Sequence, residues 1–198
     1  TPGTHRADKA RVRWGTPEQN DDDVSGAGAY THMTLLSEST TGMHNLFRLS
    51  SLASIEGFYF KPRMDRELLS RYAKGVIATT GCVDGEVQTR LRLGQYDEAK
   101  KAAAELRDIF GRENFYAEIM DHGIDIERRT IGDLIRLAKE LDIPLLATND
   151  LHYTHSHDAT AHAALLCVQS ASTLNDPNRF KFDSDEFYLK SAAQMRDL

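Results

Sequence analysis

Four short apolar runs, separated by helical patterns, set the tightest limit on what this chain can fold into. Ala29–Leu36, Gly75–Thr80, Asn114–Met120 and Leu145–Ala147 have the length and composition of strands. Between them apolar residues recur every three or four positions. The first such set is Leu46, Leu49, Leu52 and Ala53 within Thr41–Ile55, closed by Gly57. Val87, Leu91 and Leu93 follow, stopped by Gly94. A third set runs from Asp97 through Leu106 and Phe110 to Gly111. Ile131, Leu134, Ile135, Ala138 and Leu141 lie between Asp125 and Asp142. That spacing lines one side of a helix. Asp65 predicts the N-cap of a further short helix, and Asp158 that of one through Leu165 and Val168. Strands alternating with helices predict an α/β domain of parallel strands and crossover helices. Pro144 stops the helix before Leu145-Leu146-Ala147, which reads as a short buried strand.

The 198 residues are enough for one sizeable core, and 40% hydrophobic with 27% charged residues excludes a disordered chain. A net charge of −6 makes no whole-chain case for nucleic-acid binding. A metal site can still neutralise phosphate without Lys or Arg. Cys167 lies in an apolar run and is expected as a buried free thiol. Two cysteines make no disulfide framework, and with no signal peptide or membrane-length apolar run the expected location is the cytoplasm. The chain lacks an initiator Met and ends inside a helical pattern, so it is expected to be an internal piece of a longer protein. Residues 1–28 read as a polar loop anchored at most by Trp14, residues 29–171 as the folded portion, and 172–198 as a link onward.

The strand ends carry the chemistry. Asp150 and His152 are two residues apart, so in extended chain both face the same side. Carboxylate and imidazole are metal ligands; the plainer reading is a surface turn. His32 belongs to the first strand, Cys82 follows the second between Gly81 and Gly85, and His122 follows the third. In a β/α barrel the loops after the strands share one face, which would let such residues meet. A nucleophilic role for Cys82 has no evident His or Asn partner in sequence. His155, His157 and His162 sit among polar residues at a helix start and are expected in solvent, as are His5 and His44.

Several stretches resemble one family in order and at compatible spacing. They are Tyr30-Thr31-His32-Met33-Thr34-Leu35-Leu36, Thr79-Thr80-Gly81-Cys82, Gly85-Glu86-Val87-Gln88, residues 145–153, and Asp176-Pro177-Asn178-Arg179-Phe180-Lys181-Phe182 with Phe187-Tyr188-Leu189-Lys190-Ser191. The chain is similar to the PHP (polymerase and histidinol phosphatase) domain of the α subunit of bacterial DNA polymerase III, a C-family replicative polymerase, in its actinobacterial form. The resemblance implies part of a distorted (β/α)7 barrel whose N-terminal strands would precede Thr1. It implies up to three divalent ions, expected to be zinc, with His32, Cys82, Asp150 and His152 as ligands and no catalytic side chain beyond them. The turn after Cys82 departs from the commoner Gly-Cys-Pro-Ser-Gly by having Val83-Asp84. His122 matches no ligand position.

The resemblance further implies a DNA-directed DNA polymerase in replication, with magnesium in a nucleotidyl-transfer site outside this chain. DNA, a sliding clamp and other holoenzyme subunits would be partners, and no membrane. The PHP portion is expected to act as a metal-dependent 3′–5′ proofreading exonuclease in the intact protein, and this chain alone is expected to be inactive and poor in metal. Two rivals remain: a structural metal-binding scaffold within the polymerase, and a free-standing PHP phosphoesterase. The tail from Asp176 argues against the second.

Overall fold

The computed structural model describes residues 31–58 and 61–198. The expected loop over residues 1–28, Trp14, His5 and the start of the first strand lie outside these residues. In chain order the elements are β1 (Leu35–Ser37), α1 (Thr40–Ile55), α2 (Arg66–Tyr72), β2 (Val76–Thr79), α3 (Glu86–Arg92), α4 (Tyr96–Phe110), β3 (Phe115–Ile119), α5 (Asp125–Glu140), β4 (Leu145–Ala147), α6 (Ala159–Gln169) and α7 (Ala192–Asp197). The mixed α/β alternation expected of a partial β/α barrel is present. Packing divides the chain into two compact units. One holds the described residues up to Glu118 with Thr130–Leu146; the other holds Ile119–Arg129 with Ala147–Leu198.

The local signals act as their chemistry requires. Ser39 accepts from the Gly42 amide at 3.2 Å and starts α1; Asp65 accepts from the Leu68 amide at 2.9 Å and starts α2. Ser191 and Gln194 form a reciprocal cap at α7. Asp158 behaves differently from expectation. Its carboxylate accepts from the His155 amide at 2.9 Å, capping the 3-10 turn Ser156–Asp158 that leads into α6.

The sheet order is β1-β2-β3-β4. β2 and β3 are parallel, with Ala78 opposite Phe115. β1 runs antiparallel to β2, Leu36 opposite Ile77, against the all-parallel expectation. Two helices lie between β1 and β2, and two between β2 and β3, yet the strand senses differ. A helical connection therefore does not dictate direction, and an antiparallel edge on a parallel sheet is common. β4 is the other edge strand. Leu145 is 46% exposed, so this strand is not buried as expected. Its apolar run meets no further strand among the described residues, and one side of it stays in solvent.

The core of the first unit is drawn from α1, α2, β2, α3, α4, β3 and the later turns of α5. Leu49, Leu68 and Phe115 are at most 1% exposed, and each such side chain contributes about 1.5–3 kcal/mol. Gly42 lets α1 touch backbone directly: a Cβ there would lie 1.7 Å from the Gly75 carbonyl oxygen. Asn45 Nδ2 then donates to the Lys74 carbonyl at 2.9 Å. This contact brings the chain into β2, whose far end carries the first candidate ligand turn. Cys167 is buried and unbridged on α6, as expected.

Candidate metal centre

The first pair of expected ligands lies at the end of β2. After Thr79 the chain turns at Gly81, with φ +79°. The Gly81 amide donates to Thr79 Oγ1 at 3.1 Å. Gln88, buried on α3, donates to Thr80 Oγ1 at 2.9 Å and to the Gly81 carbonyl at 2.7 Å. The Gly85 amide closes the turn on the Cys82 carbonyl at 2.8 Å. His32 is not inside a strand: it makes an isolated bridge with Gly85, and its amide donates to the Asp84 carbonyl at 3.0 Å. A Cβ on Gly81 would stand 2.9 Å from the His32 carbonyl oxygen, so only glycine allows this approach. In consequence an imidazole nitrogen of His32, the Cys82 sulfur and an Asp84 carboxylate oxygen all lie within 4.8 Å of one another.

Asp84 carried no role in the sequence reading, where it figured only as a departure in the loop. The signal that points to it is its i, i+2 relation to Cys82, the same relation that singled out Asp150 and His152. Just beyond, Glu86 is buried and receives Arg66 at 2.8 Å and Arg90 at 3.3 Å. Burial pushes its carboxyl up, against the pull of Arg66 and then Arg90.

The second pair lies after β4, in the other unit. Asp150 has φ +33°, a left-handed conformation unusual for a side-chain-bearing residue. The turn is held from its flanks. Asn149 Nδ2 donates to the Tyr188 carbonyl at 2.6 Å and the Glu186 carbonyl at 3.1 Å. Lys190, its side chain 2% exposed, reaches Asn149 Oδ1 at 3.0 Å, Glu186 Oε2 at 3.0 Å and the Glu186 carbonyl. The His152 amide donates to the Phe187 carbonyl at 2.9 Å. His152 Nδ1 lies 2.6 Å from the Asp150 carbonyl oxygen. A carbonyl can only accept, so Nδ1 carries a proton and Nε2 is the ring nitrogen left for a metal.

His152 is set among rings. Phe182 meets it edge-on at 4.8 Å, Phe187 at 5.6 Å, and His162 lies 5.5 Å away. His162 is therefore not the solvated residue expected. It packs on Phe182 and Tyr153, and burial, then the neighbouring His152 charge, lowers its pKa. It lies four residues before buried Leu166, on the inner side of α6, and is flanked by Ala161 and Ala163 rather than by the polar residues that surround His155 and His157. His155 and His157 stack on each other, and His157 is 80% exposed, in line with the solvated reading.

His122 occupies a place the sequence left open. It is 1% exposed, with its ring stacked on Phe187 at 4.1 Å. Nδ1 lies 2.6 Å from Glu127 Oε1, and its amide donates to Glu127 Oε2 at 2.8 Å. Burial disfavours a charge on this ring. The Glu127 hydrogen bond, the Asn149 backbone and the charges of Glu127 and Asp150 outweigh that and raise its pKa. Glu127 lies on the first turn of α5, and the i+5 carboxylate is a signal too short to stand out in sequence.

Of the four expected ligands, His32 and Cys82 come together in the first unit. Asp150 and His152 share a turn in the second, but β4 ends at Ala147 and Asp150 is left-handed, so the extended backbone that would set both on one side is not present. Imidazole, thiolate and carboxylate suit zinc and similar divalent ions, so the donor set fits a metal.

Comparison with known proteins gives the same direction. Residues 7–122 match the PHP domain family. The chain is 59% identical to the DNA polymerase III subunit alpha of Saccharopolyspora erythraea over 99% of its own length and 17% of that protein. It is 57% identical to that of Mycobacterium tuberculosis over 100% of the chain and 17% of the relative. The Treponema pallidum subunit is 44% identical over 85% of the chain and 14% of the relative. The chain spans about 17% of the length of the first two curated relatives.

Proposed function

The chain belongs to the PHP domain family, and on that premise we propose that it is the PHP segment of a replicative DNA polymerase III alpha subunit, which elongates primers on DNA. Identity of 57–59% along almost the whole chain supports this parentage. Residues 172–198 would lead toward the polymerase palm, whose magnesium site lies elsewhere. A sliding clamp and other replication subunits would be its partners. No described helix is long and apolar enough to cross a membrane.

Within that parent the segment is a metal-dependent 3′–5′ exonuclease. The observation that carries this reading is the convergence of His32 and Cys82, fifty residues apart in sequence, to ligand distance. His32, Cys82, Asp150 and His152 would hold divalent ions, zinc first. Such an ion supplies Lewis acidity to water and to a phosphodiester, and offsets charge on the departing 3′-oxygen. The protein's own residues would offer imidazole nitrogen, cysteine sulfur and carboxylate oxygen as donors. His152, although exposed, is already oriented by its carbonyl partner, with Phe182 and Phe187 edge-on to its ring. Loading falls in acid, because every one of these donors must be deprotonated.

The test uses the full-length polymerase carrying this segment and a primer with a mismatched 3′ end. Asp150→Asn is expected to slow removal of the mismatch about tenfold or more, with primer extension unchanged. Undiminished removal would reject the exonuclease assignment and leave the scaffold reading in its place.

A further inference from the structure

We propose that Asp84 is a third metal ligand on the Cys82 turn, completing with His32 and Cys82 a metal site that lies wholly within the first compact unit. The inference rests on the metal-binding reading above and deepens it. Among the described residues, His32, Cys82 and Asp84 form the one group of three ligand-type side chains close enough to share an ion. Their donor atoms are within 4.8 Å of each other. Two ligands on one tetrahedral zinc lie about 3.4–3.6 Å apart, so side-chain rotation alone brings them in.

The backbone explains why Asp84 is in place. Its carbonyl accepts the His32 amide at 3.0 Å, and His32 bridges the next residue, Gly85. The separation of the two backbones is therefore set by main-chain hydrogen bonds, and only the side-chain rotamers remain to be adjusted. Cys82 and Asp84 flank Val83 on a turn closed by the Gly85 amide on the Cys82 carbonyl, so the thiolate and carboxylate come from one rigid loop. The chemistry is also complete. A thiolate and a carboxylate supply two negative charges against a divalent cation, and a neutral imidazole adds the third donor. A serine at this position, as in the commoner form of the motif, would offer only a neutral hydroxyl. With Asp84 the chain carries three donors for one ion on this side, where the resemblance alone counts two. The expectation of a metal-poor chain changes accordingly.

Titration of the 198-residue chain with cobalt(II), followed by displacement with zinc, reads this directly, because cobalt bound to thiolate absorbs in the near ultraviolet. The wild-type chain is expected to bind one ion with that absorption. Asp84→Asn and Asp84→Ser are expected to weaken it about tenfold or more while keeping the band at saturation. Cys82→Ser should remove the band, and Glu98→Gln, on an exposed helix face, should change nothing. Metal-free melting curves of the Asp84 variants matching wild type keep a folding defect from imitating the result. Wild-type affinity in both Asp84 variants, with the band lost in Cys82→Ser, overturns the Asp84 assignment alone. A wild-type chain without the band overturns the metal reading as well.

Discussion

The two candidate ligand turns are built by opposite means. The Cys82 turn is closed locally: Gly81, Gly85, Thr79, Thr80 and Gln88 supply its hydrogen bonds, and His32 joins through main chain. The Asp150 turn is closed by distant side chains and carbonyls. Asn149 and Lys190 tie it to Glu186 and Tyr188, nearly forty positions away. A turn that closes on itself depends on glycine and backbone conformation. A turn clamped from afar depends on buried polar side chains, whose loss strands their partners. Both carry ligand-type residues at i and i+2, so one short sequence pattern is served by two unlike constructions.

The largest effect should come from the clamp. Asn149→Ala removes two donated hydrogen bonds and one acceptor for the buried Lys190 ammonium. It is expected to cost about 3 kcal/mol in urea unfolding. A loss well under about 1 kcal/mol would mean that the Asp150 turn holds itself, and the contrast would fail.

Gly81→Ala comes next. The substitution meets both a positive φ and the His32 carbonyl, and should cost about 2 kcal/mol. Thermal melts measure the cost, and NMR of the His32 ring reports its displacement. An unchanged His32 signal would show that the turn does not position this ligand.

The smallest effect belongs to an exposed pair in neither turn. Arg112 lies 2.7 Å from Asp142 and holds its carboxyl below the usual range, by hydrogen bond first and charge second. A lowered folded-state pKa gives stability above the ordinary Asp value, lost as pH falls through the folded one. The small advantage of wild type over Asp142→Asn should thus be present at neutral pH, vanish in acid and shrink in salt. Paired melts check it; an advantage growing in acid would reverse the sign argument.

Much was legible in the sequence for identifiable reasons. Periodicity located α1, α4 and α5, and the cap Asp65 follows from the chemistry of helix ends; Ser39, the cap of α1, was not singled out. Strand runs located β2, β3 and β4. Strand sense was not legible, nor was the exposure of Leu145, because both depend on which strand becomes an edge. At the sites, a place just after a strand, between glycines, marked Cys82, and i, i+2 spacing marked Asp150 and His152. The same rule also covered Asp84, where comparison with the commoner motif drew attention away from it. His122 was marked only as following the third strand, and neither its pairing with Glu127 nor the packing of His162 was visible, since their ring partners Phe187 and Phe182 come from another part of the chain.

By itself the sequence determined the family, the helix and strand order, and the residue types able to hold a metal. These depend on local spacing and on backbone preferences, which neighbouring residues carry. Only the tertiary structure decided which donor atoms lie close enough to share an ion and which histidines leave solvent. Ligand distances of a few ångströms are set by hydrogen bonds between residues tens of positions apart. No local pattern encodes them, and at the Cys82 turn they placed a carboxylate beside the expected thiolate and imidazole.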